Sequence, residues 1–89
     1  MLFRSAAALL AAGRAGEAEQ EARAAVRLDP QSGEARNNLG LVMLETGRAA
    51  EALVEFESAA RLRPDLAEAR FNAGNACASL GRFREAEQR

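Results

Sequence analysis

Few side chains in this 89-residue chain could perform chemistry. There is no histidine, so the usual neutral-pH base and the commonest nitrogen ligand for a metal are both missing. Cys77 is the single cysteine, which rules out an intrachain disulfide and a Cys/His cluster and favours the cytoplasm over an oxidising compartment. No nucleophile motif and no glycine-rich phosphate loop can be found. The remaining ionisable groups are twelve basic residues, all arginine, and thirteen acids, for a net charge of −1. They alternate along the chain and often stand three or four residues apart, as Arg14 and Glu17 do. On a helix that spacing makes a solvated, ion-paired face, each pair contributing a few tenths of a kcal/mol. It does not make the basic stripe that a nucleic-acid surface needs. These residue types point to a protein that binds rather than catalyses, with no metal or other cofactor.

The elements that must carry these side chains repeat. G-R-x-x-E-A begins at Gly13, at Gly47 and at Gly81, a step of 34 residues each time. At the same step Leu28 meets Leu62, Pro30 meets Pro64, Glu34-Ala35-Arg36 meets Glu68-Ala69-Arg70, Asn38 meets Asn72 and Gly40 meets Gly74, with no gap. A fixed period of this size marks a stacked-repeat architecture. Each glycine at 13, 47 and 81 follows an Ala/Leu-rich run and suits the left-handed residue that closes a helix. Ala52, Phe56, Ala59 and Ala60 recur at helical spacing, and Pro64 ends that run. Asp65 and Glu68 have the spacing of a capping box for the next helix. Gly40 and Gly74 fall in mid-helix, where glycine costs about 1 kcal/mol against alanine, so both are expected to lie against a partner helix. The pattern predicts helices near 1–12, 15–28, 33–46, 49–62, 67–80 and 83–89. The opening MLFRSAAALLAAG runs into the repeat and reads as its first helix rather than a leader, and no stretch approaches the ~18 apolar residues of a membrane span.

On these residues the chain resembles the tetratricopeptide-repeat (TPR) family over essentially its whole length. Residues 33–66 carry the family pattern best, in Leu39-Gly40, Ala52, Phe56, Ala59 and Pro64. The resemblance implies an all-α, helical-hairpin solenoid, a right-handed superhelix of about two and a half repeats, forming one array over 1–89 with units 1–32, 33–66 and an incomplete 67–89. Departures occur at Ala6 for the mid-helix glycine, at Ala22 for the aromatic, and at Arg36 and Arg70 for an early aromatic. Leu9, Met43 and Cys77 replace the family's tyrosine, so Cys77 is expected to be a buried packing residue.

The resemblance also implies a concave groove, lined by the first helix of each unit, that holds a peptide of a partner protein. Carried over position by position, the groove falls on Phe3, Arg4, Ala7 and Leu10 in the first unit. The second contributes Glu34, Asn37, Asn38, Leu41, Leu44 and Glu45, and the third Glu68, Phe71, Asn72, Asn75, Ala78 and Ser79. Asn38 and Asn72 occupy the position at which some TPR segments carry an asparagine ladder. A carboxamide both donates and accepts, so such a row can grip an extended backbone of any sequence. The same asparagines are equally open to a reading as helix-surface residues, or as groups bonded within the protein. The lysine-based clamp of chaperone-binding TPRs is not implied, because the chain has no lysine. Two further functions stay open. One is self-assembly, with a homodimer covering Phe71, Leu80 and Phe83 at the incomplete third unit; the other is an accessory segment of a larger enzyme. Nucleic acid and membrane are not expected as partners.

Overall fold

A glycine turns the chain twice. In the computed structural model, which describes the backbone of residues 6–87 and the side chains of residues 8–82, Gly13 and Gly47 have φ of 75° and 80°. Around each, two backbone bonds close the preceding helix. Gly13 N–H donates to Leu10 O at 3.0 Å and Arg14 N–H to Leu9 O at 2.8 Å. One period on, Gly47 N–H donates to Leu44 O at 3.2 Å and Arg48 N–H to Met43 O at 2.8 Å. This is the Schellman geometry, which needs a residue that tolerates positive φ. The arginine after each glycine ends one helix with its N–H and opens the next with its carbonyl, which accepts from Ala18 N or Ala52 N.

Five helices result among the described residues: α1 Ala6–Ala11, α2 Ala15–Leu28, α3 Gly33–Glu45, α4 Ala49–Leu62 and α5 Ala67–Glu87. Helices α1 and α2 form one antiparallel hairpin and α3 and α4 a second, stacked in a slab of 50 × 30 × 18 Å. The link between hairpins is built by Asp29, whose carboxylate accepts from Gln31 N at 3.2 Å, and by Ser32, whose Oγ caps α3 by accepting from Ala35 N at 3.1 Å.

The core follows the repeat. Leu9, Ala18, Ala22, Leu39, Val42, Met43, Ala52, Phe56 and Ala76 form one buried cluster across the hairpins. Phe56 is fully buried, and its ring lies where a Cβ on Gly40 would be, 2.5 Å from Cε1. The mid-helix glycine of the second unit therefore admits the aromatic of its partner helix.

Four expectations are corrected in the third unit and the link that leads to it. Helix α5 does not stop near residue 80 but runs through Gly81, whose φ is not positive. At Gly47 the turn lets α4 bury Ala52, Phe56 and Ala59. The residues after Gly81 include the strong helix formers Arg82, Arg84, Glu85, Ala86 and Glu87, and continuing the helix adds a hydrogen bond per residue. Gly74 has none of the described residues within 4 Å of its Cβ position, so it does not lie against a partner helix as Gly40 does. Cys77 is exposed although Leu9 and Met43, its counterparts, are buried. Those two slots are covered by neighbouring helices, and none of the described residues covers Cys77. Finally, Asp65 does not form the capping box. Helix α5 begins at Ala67, and the Asp65 carboxylate is taken by Arg63, with Nε to Oδ1 and Nη2 to Oδ2 both at 2.9 Å.

Candidate inner-face site

Contacts between helices define an inner and an outer layer. Helices α1 and α3 pack together, as do α3 and α5, whereas no Cα of α2 comes within 8 Å of one in α4. The stack therefore closes toward the first helix of each unit. On that layer Leu10 and Ala11 of α1 and Asn38, Leu41 and Glu45 of α3 line a hollow of about 280 Å³. Asn38, Leu41 and Glu45 fall at i, i+3 and i+7, one stripe of α3. Leu10 and Leu41 are half-buried and form an apolar floor, while Asn38 and Glu45 are exposed at its edge.

The residues expected in the groove separate into distinct places. Leu10, Asn38 and Leu41 come together in this hollow. Leu44 instead lines a second hollow of about 460 Å³, with Gly47 and Arg48 of the α3–α4 turn, the first turn of α4, Ser79 and Leu80. Phe71 and Asn75 are exposed on α5, Phe71 to 71%. Phe3 and Arg4 lie outside the described residues.

The asparagine row takes a form that the period does not suggest. Asn72 is 8% exposed and its Nδ2 donates to Oδ1 of Asn37, which is 3% exposed, at 3.0 Å. Asn38, the periodic counterpart of Asn72, points to the hollow instead. Thus Asn37 and Asn72 join α3 to α5, and Asn38 is the carboxamide at the hollow. An unpaired amide in this buried position would lose about 1–3 kcal/mol, which explains why the two face each other.

Arginines tie the helices and their links together. Arg48 forms a fork with both carboxylate oxygens of Glu19, bridging the α3–α4 turn to α2. That fork, with help from Arg23, holds the Glu19 carboxyl below its ordinary range, and Glu19 in turn raises the Arg48 guanidinium. Arg63 binds Asp65 and also Glu34, the latter at 3.0 Å, which pushes its own titration up and that of Asp65 down. Arg36 Nη1 reaches Glu55 at 3.2 Å, tying α3 to α4.

Sequence reasoning missed one recurring contact. Arg36 Nε donates to Pro30 O at 2.9 Å, and Arg70 Nη2 donates to Pro64 O. The two arginines that replace the early aromatic thus clamp the proline link that precedes their own helix. The signal was present as Pro-x₅-Arg, twice at the same period, but a carbonyl acceptor leaves no side-chain signature in a sequence.

The family model described as "Tetratricopeptide repeat" matches residues 3–67. A comparison with curated proteins finds no match. No helix of the described residues is long and apolar enough to cross a membrane.

Proposed function

We propose, from the premise that this chain belongs to the tetratricopeptide-repeat family, that it is a protein-interaction module whose inner face holds a segment of a partner protein. One observation carries the reading. The layer toward which the helices close presents an apolar hollow, Leu10 and Leu41, beside an exposed carboxamide, Asn38. An apolar side chain of the partner would enter the hollow while Asn38 bonds its backbone. In this reading the chain works by binding and not by catalysis, its compartment is the cytoplasm, and neither nucleic acid nor membrane is its partner. With two complete hairpins, the expected dissociation constant is micromolar, about −8 kcal/mol. The test is amide shift mapping with a peptide selected from a displayed random library. Shifts centred on Leu10, Asn38 and Leu41 are expected; shifts centred on α2 and the outer face of α4 would refute the assignment.

A second reading is favoured by Phe71, which α5 exposes to 71%. A homodimer through the α5 face would cover it. Sedimentation at several concentrations distinguishes the two: self-association abolished by Phe71→Glu supports the dimer, and a monomer at every concentration removes it. A place as the accessory segment of a larger enzyme is compatible with either.

A further inference from the structure

We propose that the partner segment is basic as well as apolar: a large apolar side chain fills the hollow between α1 and α3, and an adjacent arginine or lysine pairs with Glu45. The inference rests on the inner-face reading above and specifies the chemistry of its ligand.

Size comes first. A hollow of about 280 Å³ falls just below the roughly 300–1,000 Å³ of small-molecule sites. Its floor is made by two leucines and an alanine, with no cluster of polar groups converging on one point. Such a site suits one aliphatic or aromatic side chain of a peptide better than a cofactor.

Charge then selects what stands beside that side chain. Glu45 is exposed at the edge of the hollow and makes no hydrogen bond or ion pair among the described residues. Its neighbour Arg48, three residues on, is beyond the Gly47 turn and committed to Glu19. Glu34, at the opposite end of α3, is held by Arg63, and Glu55 of α4 by Arg36. No arginine among the described residues lines the hollow. Among those residues its one charge is the Glu45 carboxylate, and an approaching segment meets a favourable partner there if it supplies a cation.

Spacing sets the register. Asn38 and Glu45 are seven residues apart on α3, about 10 Å along the axis, with Leu41 between them. An extended segment covers that distance in about three residues. One backbone amide at Asn38, an apolar side chain over Leu41 and a cation at Glu45 therefore fit within a tripeptide or tetrapeptide.

The experiment is selection of random displayed dodecapeptides on the wild-type chain and, in parallel, on Glu45→Arg. Wild-type selections are expected to carry Arg or Lys within about three residues of Leu, Ile, Met or Phe, and Glu45→Arg selections to carry Asp or Glu there. A wild-type peptide should bind Glu45→Gln about fivefold more weakly, the size of an exposed ion pair, and should weaken with added salt. Selections of the same charge on both proteins, or affinity indifferent to Glu45→Gln, overturn the inference. Leu41→Ala, checked for an unchanged helical spectrum, separates the two levels. If it weakens binding while Glu45→Gln does not, only the cation fails. If neither substitution matters, or no peptide is selected, the inner-face reading falls with it.

Discussion

Replacing Gly40 by alanine adds one methyl group where a buried ring already stands. The new Cβ would lie 2.5 Å from Phe56 Cε1, 2.7 Å from Cδ1 and 3.0 Å from Cζ. Carbon atoms rest at about 3.5–4.0 Å, so the ring must retreat by roughly 1 Å. Phe56 is fully buried and its ring is flat and rigid, so it cannot swing clear into solvent. Overpacking of this kind costs about 1–3 kcal/mol, and three simultaneous ring contacts put it at the top of that range. Alanine returns about 1 kcal/mol of helix propensity, leaving a net loss of about 2 kcal/mol. For a chain of this size that lowers the melting temperature by roughly 10 °C. The control is one period away. Gly74 has none of the described residues within 4 Å of its Cβ position, so Gly74→Ala should keep the propensity gain and raise the melting temperature by a few degrees. Thermal melts followed by far-UV circular dichroism measure both. The same substitution at equivalent positions must change sign; two shifts of the same sign and similar size would refute the steric account. Adding Phe56→Leu to Gly40→Ala should cost less than the two single losses added together, because the smaller side chain relieves the clash.

Other outcomes follow from the same structure. Gly47→Ala should destabilise by about 1 kcal/mol or more in chemical denaturation, because its φ is 80°, whereas Gly81→Ala, within a continuous helix, should raise helicity. Asn37→Ala strands the buried Asn72 amide and should cost about 1–3 kcal/mol, while replacing both asparagines by apolar residues of similar shape should cost much less. The Glu19 and Asp65 carboxyls are depressed in the fold, so their contribution is complete above their ordinary values of 4.5 and 3.8 and disappears as pH falls through the lower folded values. Acid titration of stability below pH 4.5 should therefore be shallower in Arg48→Gln, where Glu19 loses its main partner.

Local signals were read correctly wherever one residue type answers one backbone demand. Gly13 and Gly47 turn the chain because they reach positive φ, and Pro30 and Pro64 stand after helices that end where the period requires. Gly40 was legible as a close approach because a mid-helix glycine costs stability unless something occupies the space of its side chain. The same signals failed at Gly81, Gly74, Cys77 and Asp65, all in the third unit or the link to it. A motif states which conformation is allowed; whether it is adopted depends on what a neighbouring helix covers. The candidate site shows the same division. Leu10, Asn38 and Leu41, which the family resemblance named for the groove, lie together in one hollow, whereas Asn72 does not, because its amide has a buried partner in Asn37.

Taken alone, the residues at a step of 34 determined that helices pair into hairpins and where a turn is allowed. These are properties of spacing and backbone preference, and they persist whatever surrounds them. Only the tertiary structure decided that α5 continues past Gly81, that Asn37 rather than Asn38 meets Asn72, and that no arginine among the described residues pairs with Glu45. Each is a competition between near-equal alternatives, settled by which surface or partner lies within reach once the helices have stacked.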